Sequence, residues 1–338
     1  MKQKILVLIS LLMGSVLSVN AQEVQLATLQ QGEDLQVFYG ADAFKNALDV
    51  ASDGDLITLT AGTFNAANIT KAVKIQGAGY IIDTENGLLP SVINGSFTIQ
   101  LPNGSEGLLI EGIYMKNYDQ IVVADTIALF TLRKSRLCRI YFNGHSKNCL
   151  IDQCRISDFL NPDSESENLY VKNSIIKTIP NNSSAATLFV ENCIVITLYG
   201  IFKGGGTTAF FRNNIIGDVE DGSIYTYGSL VSSCSAYNNV FIRGNANDAV
   251  NKSDNKASDA NTLFGYTIAY DDNKTYELTP EAAAAFLGTD GTQVGIYGGD
   301  TPFASVPTNP QITQKNIATK STPDGKLNVS IKVEAQNQ

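Results

Sequence analysis

The chain has 338 residues, of which 43% are hydrophobic and 17% charged, so it holds enough apolar side chains to bury a sizeable core. Its formal net charge is -9, which argues against nucleic acid or an anionic membrane surface as a partner. The same charge disfavours polyanionic glycans, unless a local basic patch overrides it.

Residues 1–21 have the three parts of a secretory signal peptide. Lys2 and Lys4 form the charged start, an apolar run covers residues 5–16, and small residues before Gln22 form the cleavage site. The apolar run is too short to span a membrane, and no later segment resembles a transmembrane helix. The sequence therefore predicts an exported protein located in the periplasm, at the cell surface or outside the cell.

A short capping segment is predicted after the leader. A helix over residues 41–51 has one apolar face, made by Phe44, Ala47, Leu48 and Ala51. The run DGDLITL at residues 53–59 and the run VKIQGAG at residues 73–79 indicate the first strands. Such a cap covers the apolar core and the unpaired strand edges at the start of a repeat structure.

An eight-residue pattern then occurs seven times, about every 20 residues, through the middle of the chain. The copies begin at residues 108, 130, 149, 169, 188, 209 and 234. Positions one, three and eight are apolar in nearly every copy, which indicates a strand with one buried face. No amphipathic helix fits between the copies, so each copy pairs in parallel with the next. The pattern predicts a single all-β domain that coils as a parallel β-helix.

Position five of the repeat marks the bend of each turn. Its residues are Gly112, Lys134, Gln153, Asn173, Asn192, Asn213 and Asn238. Asparagine tolerates the left-handed backbone conformation that a tight corner needs. Its amide can also bond the turns above and below, so four successive asparagines predict a ladder of side chains.

This ladder resembles the asparagine ladder of the pectate-lyase-like superfamily of right-handed parallel β-helices. The resemblance is to the secreted bacterial proteins of that superfamily. The N-terminal runs, and the run GIYGG at Gly295–Gly299, are similar to the ends of such proteins. The resemblance covers residues 41–300 and implies a single-stranded right-handed parallel β-helix. It matches no specific enzyme family, and it implies a fold rather than an activity.

The C-terminal residues resume an alternating pattern after prolines at positions 302, 307 and 310. We expect residues 311–335 to form capping strands that cover the last turn of the coil, with a small separate domain as the alternative. The predicted organisation is a signal peptide over residues 1–21, a β-helix with its N-terminal cap over 22–304, and C-terminal capping strands over 305–338.

The five cysteines are predicted to be free thiols, although export permits disulfides. Cys149 and Cys234 occupy the inward position one, and Cys154 and Cys193 occupy position six, where they act as small buried fillers. A bridge from Cys138 to Cys149 or Cys154 is the alternative. Zinc is excluded, because there is no CxxC pair and only one histidine.

Position four carries charges whose sign alternates over six consecutive copies: Glu111, Arg133, Asp152, Lys172, Glu191 and Arg212. These side chains point outward, and opposite charges on neighbouring strands attract. We interpret the column as a surface ion-pair ladder that helps to set the register. The alternative is a lyase site, since lyases on this fold use lysine or arginine beside calcium-binding carboxylates. A self-neutralised ladder, however, leaves no free base and no carboxylate cluster for calcium.

Position two shares this outward face and is aromatic in three consecutive copies, at Tyr170, Phe189 and Phe210. Such a column is unusual on open surface. Either a loop or the tail around Phe303 covers the rings, or they form a stacking platform for sugars. The predicted ligand-binding residues are Tyr170, Phe189, Phe210, Lys172, Glu191 and Arg212.

The remaining polar residues indicate no catalytic site. His145 follows a glycine, as in polygalacturonases of this fold, but the paired aspartates of those enzymes are absent upstream of it. Two acidic loops, at residues 158–167 and 218–221, leave a shared calcium ion as an alternative, although such charge runs are solvated in most proteins. We expect no catalytic residue, no bound metal and no cofactor.

The sequence thus favours an exported, non-catalytic β-helix protein that binds a glycan or a cell-surface partner. The alternative is a polysaccharide lyase or glycoside hydrolase that acts on an extracellular polysaccharide, because carbohydrate enzymes share this fold. An enzyme needs a groove that holds an unpaired lysine or arginine beside clustered carboxylates. Neither the ligand nor the oligomeric state follows from the sequence.

Overall fold

The computed structural model describes residues 25–84, 88–102, 105–161, 166–180, 187–199, 208–220, 228–230, 233–308, 311–318, 320–322 and 324–334. The predicted leader over residues 1–21 lies outside these ranges. The helices within them are α1 (Ala43–Val50), α2 (Ala260–Phe264) and α3 (Pro280–Ala285). None of these described helices has the length and apolar character needed to cross a membrane.

Strands make up most of the described chain. The strands before residue 145 are β1 (Leu26–Gln31), β2 (Asp34–Tyr39), β3 (Leu56–Leu59), β4 (Gly62–Asn65), β5 (Lys74–Gln76), β6 (Ser91–Asn94), β7 (Phe97–Ile99), β8 (Leu109–Glu111), β9 (Ile113–Met115), β10 (Gln120–Val123), β11 (Ile127–Ala128), β12 (Thr131–Arg133) and β13 (Arg136–Phe142). The later strands are β14 (Ser146–Asp152), β15 (Arg155–Asn161), β16 (Glu167–Lys172), β17 (Ile175–Pro180), β18 (Thr187–Glu191), β19 (Ile194–Tyr199), β20 (Thr208–Arg212), β21 (Ile215–Glu220), β22 (Cys234–Tyr237), β23 (Val240–Arg243), β24 (Asn251–Ser253), β25 (Lys256–Ala257), β26 (Gln311–Ile317) and β27 (Val329–Glu334).

The strands alternate between two sheets that form the sides of a β-solenoid. Sheet A has the order β2-β1-β3-β5-β8-β12-β14-β16-β18-β20-β22-β24, with β11 beside β14. Sheet B has the order β4-β6-β9-β13-β15-β17-β19-β21-β23-β25, with β7 and β10 attached through β13. All pairs in both sheets are parallel except those of β1 with β2 and with β3. The predicted all-β parallel β-helix is confirmed, and we call each of its turns a rung.

The eight-residue repeat corresponds to one bend and the short strands on either side of it. In the register of β16, β18 and β20, Leu169 lies opposite Leu188, and Leu188 lies opposite Ala209. The same alignment holds from the copy at residue 108 to the copy at residue 234. Equivalent positions of successive copies therefore form columns with a spacing of about 4.8 Å.

Positions one, three and eight fill the interior of the solenoid, where their side chains are between 0 and 2% exposed. Burial of this continuous apolar column is the main source of free energy that holds the rungs together. All five cysteines are buried and free, which confirms the predicted thiols. The alternative bridge from Cys138 is not formed.

Position five forms the bend in every copy. Its seven residues, from Gly112 to Asn238, have φ between 43° and 68°. This left-handed region favours glycine and asparagine over other residues, which explains why the last four copies all carry asparagine here. The predicted bend is confirmed.

The ladder of side chains lies at position six, one residue beyond the predicted place. Inside the solenoid, Asn239 Oδ1 accepts hydrogen bonds from the backbone N–H (3.0 Å) and the side-chain amide (2.9 Å) of Asn214. The Asn239 amide in turn donates to the Phe211 carbonyl at 2.9 Å. In an earlier rung, Ser174 Oγ accepts from the Cys154 N–H at 3.0 Å. Each such side chain therefore satisfies a backbone N–H that the bend turns into the apolar interior.

The N-terminal segment closes the first rung. β1 pairs with β3, and β2 pairs with β1, so these strands cover the edge of sheet A. α1 packs beside them and buries Ala43, Phe44, Ala47 and Leu48. The predicted capping helix is confirmed with bounds of 43–50, whereas the hairpin of β1 and β2 was not predicted.

Residues 258–308, which we call the C-terminal arm, pack along the outer face of sheet B. Position seven of the repeat points to this face, and four of its side chains are at most 1% exposed: Ile175, Ile194, Ile215 and Val240. They form a second apolar core with the arm residues Leu263, Phe264, Tyr276, Val294, Ile296 and Phe303. The apolar run at position seven is therefore a sequence signal for a covering segment.

Charged groups hold the arm over the earlier rungs, where position seven carries arginine in place of isoleucine. Arg136 pairs with Asp272 of the arm. Arg155 donates to the Lys274 carbonyl at 2.9 Å, and its guanidinium lies 5.5 Å from the centre of the Phe303 ring. The arm is thus attached by apolar burial at one end of the face and by cations at the other.

The arm also crosses the bends, where it binds the side chains at position five. The Thr289 N–H donates to Asn213 Oδ1 at 2.9 Å. The Asn173 amide donates to the Ile296 carbonyl at 2.9 Å. The asparagines at position five therefore bind the arm, and this corrects the prediction that their amides bond one another between rungs.

β26 and β27 pair with each other, and among the described residues neither strand joins sheet A or sheet B. They follow the end of the arm at Thr308, whose N–H donates to Glu111 Oε1 at 2.7 Å. Glu111 belongs to an early rung, whereas β24 and β25 form the last rung at the opposite end of the solenoid. The expected capping of the last rung by residues 311–335 stays a prediction. The apolar side chains of β27 are 50–55% exposed at Val329, Ile331 and Val333.

Candidate functional site

Tyr170, Phe189 and Phe210 form a column on the outer face of sheet A. They lie directly opposite one another in the register of β16, β18 and β20. The ring centroids of Tyr170 and Phe189 are 4.8 Å apart with planes inclined by 14°, and those of Phe189 and Phe210 are 4.7 Å apart with planes inclined by 8°. We call these three residues the aromatic ridge.

The aromatic ridge is half-buried, and neither apolar core of the described chain includes it. Phe303, which we considered as a cover for the rings, lies over the other sheet against Arg155 and Tyr297. The contacts of the C-terminal arm given above are with sheet B, with the bends and, at its end, with Glu111 of β8, three strands from β16 in sheet A. The interpretation in which the tail around Phe303 covers the ridge is therefore wrong. The loops before β16, β18, β20 and β22 lie mostly outside the described residues.

The rings of the ridge cover one another's faces. Neighbouring rings are nearly parallel, at the centroid distance of an offset-stacked pair. Leu150 and Ser235 lie opposite the two ends of the column, so the surface that remains for a ligand consists mainly of ring edges. A ligand meets a strip of aromatic edges, about 10 Å long. Whether sugars bind at this strip, as the sequence predicts, stays a prediction.

Charged side chains line one side of the ridge, at position four of the same strands. Glu191 accepts ion pairs from Arg212 at 2.5 Å and from Lys172 at 3.7 Å. Lys172 and Arg212 remain 44% and 49% exposed, so both can still bond a ligand. The predicted ion-pair ladder is formed here, and all six predicted ligand-binding residues lie on three neighbouring strands.

Two threonines line the other side of the ridge, and the sequence analysis missed them. Thr187 and Thr208 lie opposite each other, two residues before Phe189 and Phe210. Residues two apart on a strand share a face, so both hydroxyls lie on the outer face of sheet A. Thr187 is half-buried and Thr208 is exposed. The period of two along each strand was the signal that could have identified them.

Asp152 is the exception in the charged column. Its Oδ1 atom is buried and has no hydrogen-bond partner among the described residues. Burial raises the pKa of the Asp152 carboxyl to about 6, although the nearby charges of Arg133 and Lys172 act in the opposite direction. A carboxyl group with this pKa can exchange a proton near neutral pH, which general acid–base catalysis requires.

The ion pair of Glu111 with Arg133, in the same charged column, has a structural role. Glu111 is fully buried and pairs with Arg133 at 2.9 Å. Its second oxygen accepts from the N–H and the hydroxyl of Thr308, at 2.7 and 2.8 Å. Glu111 therefore anchors the end of the C-terminal arm and is not accessible to a ligand.

The acidic loops are in part engaged in ion pairs. Asp158 pairs with Arg139 at 2.6 Å, and Asp218 pairs with Arg243 at 2.5 Å. In the described parts of the chain, no three carboxylate, histidine or cysteine side chains are grouped as a metal site. Much of both loops lies outside those parts, so the calcium alternative stays untested.

His145 is exposed in the turn between β13 and β14. The strands on either side of it are not those of the aromatic ridge, and the structure does not bring His145 together with the predicted ligand-binding residues. The interpretation of His145 as a loop residue remains the simpler one.

Comparisons with protein-family models, with curated proteins and with solved structures find no match to this chain. The resemblance to the pectate-lyase-like superfamily, and with it a bacterial source, therefore remains a prediction. What the structure shows is a parallel β-solenoid whose own C-terminal arm covers sheet B.

Proposed function

We propose that this protein is an exported, non-catalytic binding solenoid that holds a glycan chain across the outer face of sheet A. One observation carries the proposal. The chain buries the outward apolar column of sheet B under its own arm, but it leaves the aromatic ridge half-exposed. Exposed aromatic surface of this kind is typical of binding sites.

The chemistry beside the ridge suits a sugar chain. Aromatic edges give apolar contact to sugar C–H groups, while hydroxyls meet Thr187 and Thr208 on one side and Glu191 and Arg212 on the other. Ring edges also carry the positive part of the aromatic quadrupole, which attracts hydroxyl oxygens. Each contact is weak, so we expect affinities of about 1 μM to 1 mM.

Export belongs to the proposal and is supported by the leader over residues 1–21. The periplasm, the cell surface and the extracellular space all expose a protein to polysaccharide or to glycosylated partners. In this proposal the ligand is either a free glycan or the carbohydrate of a cell-surface partner.

A polysaccharide lyase or glycoside hydrolase is the second candidate, and Asp152 is the observation that favours it. Its carboxyl group lies in the charged column, one rung from Lys172, and burial raises its pKa to about 6. Acid–base catalysis on a glycosidic bond in most families needs a second carboxyl group. Glu191, two rungs from Asp152 in the charged column, is held by two cations.

The test is incubation of the purified protein with immobilised polysaccharides, scoring both retention and soluble products. We expect retention without cleavage, and we expect Phe189→Ala to abolish it. Phe189→Ala removes two stacking contacts, worth about 0.5–1.5 kcal/mol each beyond area burial, so binding is measured well below the unfolding temperature.

Tyr118→Ala is the matched control, because Tyr118 is an exposed aromatic residue (74%) away from the ridge. It should bind polysaccharide like the unaltered protein. Equal retention by both variants would exclude the ridge as the binding site. The appearance of shortened products would instead support the enzyme.

A further inference from the structure

The cations that the structure describes beside the aromatic ridge are engaged in ion pairs within the protein itself. In the charged column, Arg133 pairs with Glu111 at 2.9 Å, Lys172 with Glu191 at 3.7 Å, and Arg212 with Glu191 at 2.5 Å. Glu191 is shared, so one carboxylate holds both cations that flank the ridge. Asp152 lies opposite Lys172 in the same column, so two carboxyl groups stand against these two cations and the described residues leave no excess of positive charge at the ridge.

The remaining charges near the ridge make the surface less favourable for an anion. Asp152 adds a carboxyl group that lacks an ion pair among the described residues. Lys134 is 7% exposed at the bend, beyond the reach of a ligand on the outer face. Lys147, two strands from Phe189 on sheet A, is paired with Glu167 at 2.9 Å. The whole chain has a formal charge of -9, so no long-range attraction compensates.

From this charge balance, and resting on the proposed function, we infer that the aromatic ridge selects neutral polysaccharides and rejects polyuronates and sulfated glycans. An acidic sugar laid across the ridge must approach Glu191 and Asp152 or separate an ion pair. Like-charge contacts of this kind are a means of rejecting a wrong partner. A neutral sugar hydroxyl can donate to Glu191 and accept from Arg212 without separating them.

The experiment is a calorimetric titration with soluble neutral oligosaccharides from glucan, galactan and xylan, and with oligogalacturonate of matching length. We expect binding to at least one neutral ligand, little changed by salt, and much weaker binding of oligogalacturonate. Glu191→Gln removes the carboxylate that neutralises Lys172 and Arg212. This variant should bind oligogalacturonate roughly fivefold more tightly than the unaltered protein at low ionic strength, and the gain should disappear at high salt.

Asp49→Asn is the matched control, since it releases Lys45 on α1, away from the ridge, and should gain no affinity for oligogalacturonate. Tighter binding of oligogalacturonate than of every neutral ligand by the unaltered protein, abolished in Phe189→Ala, would overturn the inference while leaving glycan binding at the ridge intact. An absence of gain in Glu191→Gln would also count against it. Failure of every ligand to bind would remove the proposed function itself.

Discussion

Asn239 shows how one side chain makes a tight bend compatible with a dry interior. Its oxygen accepts from the Asn214 backbone, and its amide donates to the Phe211 carbonyl. Neither of these backbone groups has water within reach, because Asn214 and Asn239 are both fully buried. A buried backbone N–H without a partner costs about 1–3 kcal/mol, so the position must hold a small polar side chain.

Asn239→Ala is therefore expected to lower the free energy of unfolding by about 1–3 kcal/mol, because it removes the acceptor of the buried Asn214 backbone N–H. The control is Asn192→Gly at position five, where the φ of 51° suits glycine and Oδ1 has no hydrogen-bond partner among the described residues. It should cost no more than about 1 kcal/mol. Urea denaturation measures the free energy of unfolding of both variants. An equal loss in the two would indicate that the side chains at position five stabilise the bends as much as those at position six.

The C-terminal arm is the element that the repeat alone does not reveal. The period of the repeat predicts which residues stack, because neighbouring rungs impose the same environment at each position. It cannot predict what covers an outward apolar column, since the covering residues lie up to 130 positions away and follow no period. Ile194 at position seven could be identified as an outward apolar residue from the repeat. That Val294 and Ile296 belong to the same apolar core could not be predicted.

Two glycines of the arm have the same backbone conformation but different surroundings. Gly299 and Gly291 have φ of 77° and 78°, so alanine is strained at either position. A Cβ atom at Gly299 would lie 2.2 Å from Asn192 Nδ2, whereas one at Gly291 would have no atom within 4 Å. Only Gly299 therefore tests the contact between the arm and the bends.

Gly299→Ala is expected to displace the arm from the bends, while Gly291→Ala adds only the backbone strain of about 1–2 kcal/mol that both variants share. Hydrogen exchange at the Gly295 N–H, which donates to the Asn213 carbonyl at 2.8 Å, reports on the displacement. Exchange should accelerate markedly in Gly299→Ala and little in Gly291→Ala. The same protection in both variants would show that the arm is held by its apolar core alone.

At the scale of the whole molecule, the repeat predicts which residues stack on one another. It does not predict what lies on the outer faces and at the ends of the solenoid. The columns, the bends and the buried cysteines follow from the period, since each rung packs only against its neighbours. The orientation of the rings in the aromatic ridge does not follow from it, because side-chain torsion angles depend on packing between rungs. The ends are also not periodic, so the repeat does not predict where residues 311–335 lie.

The structure predicts that the two C-terminal parts contribute very differently to stability. Removal of residues 309–338 takes away β26 and β27, which among the described strands pair only with each other, and should leave the melting temperature nearly unchanged. Removal of residues 258–338 also exposes Ile175, Ile194, Ile215 and Val240, which the arm buries. Each such side chain contributes about 1.5–3 kcal/mol when fully buried. Calorimetry should therefore show a melting temperature lower by more than about 10 °C in the shorter variant. If the two truncations destabilise the protein equally, β26 and β27 support the solenoid after all, and the boundary at residue 308 is misplaced.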